Sequence, residues 1–195
     1  MIALSIISLV ALLIIGVLLF TNISPEFGSG AKGERLERMK LSPHYANGKF
    51  INSVPTAQGL KDWKDIPSVM YKFIKKEPNQ MPDWEIPVNK IDSLNITRTP
   101  DSLTQLTWFG HSAFLLEMDG KKILIDPMLG NVPAPAPFLG NKRFNKELPI
   151  AIEKLPSIDA IIISHDHYDH LDYGSIMELK SKTAHFYVPL GVGAH

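Results

Sequence analysis

The stretch that decides the fold is an apolar run followed at once by a cluster of metal-ligating side chains: Ile158-Asp159-Ala160-Ile161-Ile162-Ile163-Ser164-His165-Asp166-His167-Tyr168-Asp169-His170. Residues 160–163 are uncharged and mostly β-branched, which is typical of a strand buried on both faces. The cluster therefore begins where that strand ends. Ligands tend to bind at the carboxyl ends of strands in open α/β sheets, because loops converge there. The sequence predicts a binding site at this edge.

The spacing within the cluster indicates metal coordination. His165 and His167 are two positions apart, so in an extended segment their rings lie on one side and can hold a single ion. Asp169 and His170 follow where the chain must turn, and they can face a second ion. Neutral imidazole and carboxylate are ligands that zinc accepts. Two such ions about 3.5 to 4 Å apart can activate a shared water, which predicts hydrolysis.

The alternative is a polar surface loop in which such side chains crowd by chance. Three histidines and two aspartates within residues 165–170, directly behind a buried strand, disfavour it. Asp166 and Tyr168 alternate with the four ligands. We expect these two side chains to point away from the metal.

The pattern His165-x-His167-x-Asp169-His170 resembles the signature of the metallo-β-lactamase superfamily of hydrolases. The resemblance implies that the first two histidines hold one zinc ion and that the Asp-His pair holds the other. A narrower likeness, to the branch containing N-acylphosphatidylethanolamine-hydrolysing phospholipase D, rests on two upstream motifs: Trp108-Phe109-Gly110-His111-Ser112-Ala113 and Ile125-Asp126-Pro127.

This branch also supplies two candidate catalytic residues. The resemblance places His111 near the metal pocket. It gives Asp126 the role of bracing the metal-binding loop through hydrogen bonds without binding metal, which suits a group that orients ligands.

The resemblance implies an α/β fold, the metallo-β-lactamase-type αββα sandwich of two facing βα halves. We expect only the first half of this sandwich, in residues 101–195, as a domain that is truncated at its C-terminal side. A transmembrane anchor in residues 1–21 and a linker and irregular lead-in in residues 22–100 precede it. The other half should bring a further histidine, a bridging aspartate and a last histidine. Without them we expect weak zinc binding, no turnover, and an exposed apolar face that favours aggregation or a homo-oligomer.

Local patterns predict the order of elements. Residues 103–109 and 112–118 alternate as strands do, and Asp119-Gly120 is a tight-turn pair leading into a third strand at 121–125. A helix is predicted over 147–155, before the strand that ends at Ile163. Later elements are a helix capped by Asp172 and running through Lys180, and a strand at 185–188.

Residues 1–20 carry no charged side chain and would span about 30 Å as a helix, the thickness of a bilayer core. The alternatives are a cleavable signal peptide and a buried soluble helix. The long apolar stretch and the absence of a basic n-region favour an uncleaved single-pass anchor. Basic residues follow the segment, which places the catalytic part in the cytoplasm: Lys32, Arg35, Arg38 and Lys40.

Two further segments bear on a lipid substrate. Pro67 could open a helix, either packed on the domain or lying at a lipid surface, whose apolar side carries Val69, Met70, Phe73 and Ile74. The Pro-rich loop within 128–145 carries Phe138 and Arg143, which could meet acyl and phosphate groups.

Composition excludes some classes of function. Lys and Arg number 20 and Asp and Glu number 20, so no basic field exists to attract nucleic acid. The chain has no cysteine, which leaves any metal to histidine and carboxylate.

The ligand motif predicts a zinc-dependent hydrolase, and the resemblance implies a phosphodiesterase that acts on N-acylphosphatidylethanolamine-like phospholipids, with membrane lipid as its partner. The alternatives are another hydrolase of the same superfamily, such as a lactonase, nuclease or thioester hydrolase, and a non-catalytic membrane-bound fragment.

Overall fold

The computed structural model describes residues 2–54, 62–75, 78–136, 138 and 140–195. Its helices, in chain order, are α1 (Ile2–Ile23), α2 (Glu34–Lys40), α3 (Ile66–Ile74), α4 (Ser93–Thr97) and α5 (Tyr173–Leu179). Its strands are β1 (Tyr45–Ala46), β2 (Lys49–Phe50), β3 (Gln105–Gly110), β4 (Ala113–Met118), β5 (Lys121–Ile125), β6 (Ile158–Ile162) and β7 (Thr183–Tyr187).

Five strands form one mixed sheet in the order β3-β4-β5-β6-β7. The first three are antiparallel neighbours, joined between β4 and β5 by a tight turn in which Asp119 and Gly120 both have positive φ, 51° and 69°. Such a turn matches the twist of a hairpin. β5, β6 and β7 are parallel neighbours. The predicted meander and the α/β class are confirmed.

One face of this sheet carries the core. Leu115, Leu124 and Ile161 point from the central strands to this side and are fully buried. Ile96 of α4 and Leu179 of α5 close over them. Asp172 caps α5 as predicted, because its side chain accepts a hydrogen bond from the Ser175 backbone N–H.

The other face of the sheet is open among the residues that the structure describes. Leu106 is 58% exposed, Trp108 is 63% exposed and Ile162 is 37% exposed. The expectation that the strand ending at Ile163 is buried on both faces is therefore wrong at its carboxyl end, where Ile161 and Ile163 are buried but Ile162 is 37% exposed. The predicted second half of the sandwich would cover the open face, which accounts for the apolar side chains that β6 carries on that face.

The predicted helix over 147–155 is also wrong, because only a 3₁₀ turn forms there, Ile152–Lys154. Pro149 has no N–H to donate and disfavours helical geometry at the residue before it. Ile150, Ile152 and Leu155 are all buried, so the segment packs on the core as irregular chain. Lys182 fixes it by donating from Nζ to main-chain carbonyls of residues 152, 153 and 155.

Two of the helices that precede the sheet, α1 and α3, expose their apolar side chains. In α3, Ile66, Met70 and Ile74 are 46%, 54% and 75% exposed, so this helix is not packed on the core. The described side chains of α1 are exposed along nearly its whole length. Within the described residues one helical stretch, Leu4–Ile23, is long and apolar enough to cross a membrane, a character that signal sequences and some core helices share.

Candidate metal centre

The candidate site lies where β5 and β6 end side by side. Asp126 follows β5 directly, and its backbone N–H donates to the carbonyl of Ile162 at 2.9 Å. Residues 164–170, which we call the metal-ligand loop, follow β6 and lead into α5. Parallel pairing therefore places the two motifs at the same edge of the sheet, as the sequence predicted.

Asp126 is the polar centre of this edge. Its Oδ1 accepts a hydrogen bond from the Ser164 backbone N–H at 2.7 Å, and its Oδ2 accepts from the Ser164 hydroxyl at 2.7 Å and from His170 Nδ1 at 2.9 Å. Burial raises the pKa of the Asp126 carboxyl, but these hydrogen bonds outweigh it and hold the pKa below its ordinary value. Its positive φ of 42° gives the chain the sharp turn that aims the carboxylate at the loop.

This network fixes the orientation of two imidazoles. His170 donates through Nδ1 to the carboxylate, which leaves its Nε2 as the free, metal-ligating nitrogen. The Ser164 hydroxyl donates its single proton to Asp126, so it accepts from Nδ1 of His165, 2.9 Å away. His165 is thereby also left with Nε2 free. Ser112 adds a further contact, with its Oγ 3.1 Å from His170 Nδ1.

The ligand atoms fall into two sets of three, and atoms within a set lie within 4.8 Å of one another. One set contains His165, His167 and Asp169, and the other contains His111, Asp169 and His170. Neutral imidazole nitrogens and carboxylate oxygens suit zinc and other divalent transition metals. The residues present therefore fit a divalent metal site, and Asp169 lies between the two sets.

His111 comes to the site from the turn between β3 and β4. Its φ is 48°, and the Trp108 indole holds its backbone by donating from Nε1 to the His111 carbonyl at 2.9 Å. The ring then donates from Nε2 to Oδ2 of Asp169, also at 2.9 Å. Burial raises the pKa of Asp169, but hydrogen bonds from its own backbone and from His111 hold the pKa below its ordinary value.

The two residues that alternate with the predicted ligands occupy other surroundings. Tyr168 is half-buried, and burial with the nearby charges of Asp172 and Glu26 raises the pKa of its phenol. Asp166 Oδ2 lies 3.7 Å from Nε2 of His195. Neither belongs to the two ligand sets.

Sequence reasoning missed the two hydroxyls of the site, those of Ser112 and Ser164. Ser164 directly precedes the ligand motif, and this adjacency was the only available signal. Its role depends on Asp126, which is 38 positions away in the chain.

A cavity of about 820 Å³ adjoins the second ligand set, and both His111 and Asp169 line it. Its other walls are mostly apolar and include Ile86, Val88, Trp108, Phe109, Met128 and Phe144. This volume and lining are those of a site for a small organic ligand.

Arg143 lies at this cavity, and the sequence suggested that it could meet the phosphate group of a substrate. That role requires a free guanidinium, which Arg143 does not present. Its guanidinium donates to the carbonyls of Gly130 at 3.1 Å, Met128 at 3.1 Å and Phe109 at 3.4 Å. Burial lowers its pKa, with the Asp172 charge opposing this effect. Arg143 therefore ties the 128–145 loop to β3. Phe138 is 83% exposed, and residues 137 and 139 of the Pro-rich stretch lie outside the described part of the chain.

Residues 121–195 match the family model described as "Beta-lactamase superfamily domain". This part of the chain thus carries a domain of the β-lactamase superfamily, which agrees with the family that the ligand motif predicted.

The similarity to individual proteins extends to residues before 121. An uncharacterised protein of Mycobacterium tuberculosis is 37% identical over 155 residues, which cover 79% of this chain and 41% of that protein. N-acyl-phosphatidylethanolamine-hydrolyzing phospholipase D 1 of Caenorhabditis elegans is 35% identical over 75% of this chain and 43% of its own length. A metal-dependent hydrolase of Anaeromyxobacter is 41% identical over 81 residues, 41% of this chain and 24% of that protein. The chain spans about two fifths of the length of the first two relatives.

Proposed function

We propose that this chain contributes the metal-binding part of a zinc-dependent hydrolase that cleaves the phosphodiester bond of N-acylphosphatidylethanolamine-like phospholipids. The observation that carries the proposal is the pair of His/Asp ligand sets that share Asp169 beside a large apolar cavity. The likeness to a phospholipase of this type in C. elegans supports the choice of substrate.

In this proposal His165 and His167 serve one metal position, and Asp169 and His170 serve the other. A divalent metal supplies a water that is nucleophilic at neutral pH and polarises a phosphoryl oxygen. Asp126 holds His165 and His170 in the tautomers that leave Nε2 free, one directly and the other through Ser164. Asp126 is a positioning residue, because it contacts the metal ligands and not the substrate.

His111 has a positioning role in the same proposal. Its Nε2 lies 2.9 Å from Oδ2 of Asp169, and Nε2 of His170 lies 3.6 Å from the same oxygen, so His111 holds the Asp169 carboxylate beside its proposed co-ligand. The cavity next to it excludes water from the apolar part of a substrate while the polar part lies at Asp169.

The membrane is the second part of the proposal. A lipid substrate is supplied by a bilayer, and α1 is a single-pass anchor with the metal site on the cytoplasmic side. The exposed apolar side chains of α3 suit a helix that lies in the headgroup region. Where no other part of the protein covers the open face of the sheet, two copies of the chain associate through that face as a homo-oligomer.

The test uses the protein in its full native form, purified from the membranes of the cells that make it. Metal-loaded protein is assayed against phospholipids, lactones, thioesters and nucleic acids in parallel. We expect release of phosphatidic acid from N-acylphosphatidylethanolamine, and its loss in a His167→Ala variant that still folds. Turnover of a lactone, a thioester or a nucleic acid alone would replace the proposed substrate. Metal binding without any turnover would identify a non-catalytic fragment.

A further inference from the structure

The chain turns sharply as it leaves α1. The helix ends at Ile23, and the backbone N–H of Ser24 still donates to Phe20 at 3.0 Å. A 3₁₀ turn, Pro25–Phe27, follows immediately. The Phe27 ring contacts the Phe20 ring edge-on, with 5.4 Å between their centroids. The first residues after the helix are therefore fixed against its end rather than acting as a loose tether.

The next residues contact the last turn of the described chain. The Ser29 hydroxyl donates to the carbonyl of Ala194 at 3.0 Å, although 165 positions separate them. At Gly28 the His195 ring fills the space that a side chain would need, so only glycine allows this approach. His195 in turn lies 3.7 Å from the carboxylate of Asp166, in the metal-ligand loop. A continuous set of contacts thus joins the end of α1 to that loop.

Glu26 lies in this 3₁₀ turn. One oxygen of Glu26, Oε2, is buried and has no hydrogen-bond partner among the residues described. Burying a carboxylate oxygen costs free energy unless it is paired, so this segment is held in place by its other contacts.

The chain length limits how far the loop can lie from the helix end. Residues 24–28 make up the whole connection between Ile23 and the Gly28 contact with His195. Five residues reach at most about 18 Å when fully extended, and the 3₁₀ turn shortens that reach. The polar headgroup region on each side of a bilayer is roughly 5 to 8 Å thick. A membrane containing α1 therefore brings its surface close to the metal-ligand loop.

We propose that this docking of residues 24–29 holds the metal-ligand loop at the headgroup layer of the membrane that contains α1, so that the site meets groups displayed on the lipid surface. The proposal rests on the membrane anchor of the proposed function but not on hydrolysis. The partner is the bilayer surface itself. The distance from the site to that surface can be measured without metal, substrate or turnover.

The test uses the full chain in phosphatidylcholine vesicles that contain lipid with a spin label on its headgroup. Because the chain has no cysteine, a fluorophore can be attached at a single introduced one. His167→Cys labels the metal-ligand loop at an exposed position that makes none of the docking contacts, and Ser157→Cys is the matched control at the opposite end of β6, roughly 16 Å away along a five-residue strand. We expect the headgroup spin label to quench fluorescence at position 167 and to leave position 157 nearly unchanged.

A second variant separates the docking from membrane binding as such. Gly28→Leu places a side chain where the His195 ring lies, and it should abolish the quenching at position 167 while the protein still sediments with the vesicles. Equal quenching at positions 167 and 157, or quenching unaffected by Gly28→Leu, would overturn the docking. A chain that does not sediment with the vesicles would overturn it together with the anchor. Absence of hydrolysis would leave this result unchanged and count only against the proposed function.

Discussion

His170 donates from Nδ1 to Oδ2 of Asp126 at 2.9 Å, across 44 positions of the chain and between the ends of two parallel strands. The same carboxylate binds the backbone and the hydroxyl of Ser164. One buried side chain therefore sets the backbone path of the metal-ligand loop and the tautomers of two of its histidines.

Asp126→Asn should weaken zinc binding by about 10 to 100-fold, the usual effect of losing an outer partner of a metal ligand. The amide keeps the volume of the carboxylate, but it cannot accept with both ends from Ser164 and His170. Competition with a chromogenic chelator measures the affinity. Asp83→Asn, at an exposed aspartate, is the control and should bind zinc as the wild type does.

Acid should remove the stabilising effect of Asp126. Its folded-state pKa lies below the unfolded value of about 3.9. The carboxylate therefore stabilises the fold fully above that unfolded value, and this contribution is lost as the pH falls through the folded pKa. Urea unfolding of metal-free wild type and Asp126→Asn should show a difference in unfolding free energy that shrinks on acidification from pH 6 to pH 3. A difference that stays constant over this range would contradict the assignment.

His167→Ala should lower metal content far more than Tyr168→Phe does. The histidine belongs to a ligand set, whereas Tyr168 lies outside both sets and is partly buried. Elemental analysis of the purified variants after dialysis against zinc gives the metal content. His44→Ala controls for the loss of a histidine elsewhere in the chain. Comparable metal loss in the His167 and Tyr168 variants would refute the alternation of ligands along the loop.

Two substitutions at His111 separate its ring from its backbone. Ala and Gly both remove the hydrogen bond to Asp169, so both should weaken the second zinc-binding step in a calorimetric titration by about 10 to 100-fold. Gly should be the more stable of the two by about 1 kcal/mol, because the φ of 48° is strained for a residue with a Cβ. Unchanged zinc titrations in both variants would remove His111 from the site.

The α1 anchor predicts how the protein fractionates. With no charged side chain in residues 1–20, the protein should sediment with membranes and resist extraction by alkaline carbonate. Immunoblotting of the fractions shows both its location and the length of the chain. A shortened chain in the soluble fraction would identify residues 1–20 as a cleaved signal peptide.

The sequence by itself determined the local features of this protein. Alternating apolar residues predicted β3 and β4, and the Asp119-Gly120 pair predicted the turn that leads into β5. Asp172 was identified as a helix cap, and the spacing from His165 to His170 predicted the superfamily whose domain residues 121–195 match. These features depend on side-chain period, turn chemistry and ligand type, all of which are encoded within a few neighbouring residues.

Only the tertiary structure decided which distant groups meet. Parallel pairing of β5 with β6 brings Asp126 to Ser164 and His170, and the left-handed turn at His111 brings its ring to Asp169. The buried irregular chain at 147–155 and the use of Arg143 to hold main-chain carbonyls likewise depend on packing against other elements. Local patterns cannot predict such contacts, because the free energy that selects them comes from burial and hydrogen bonds between segments that are remote in the chain.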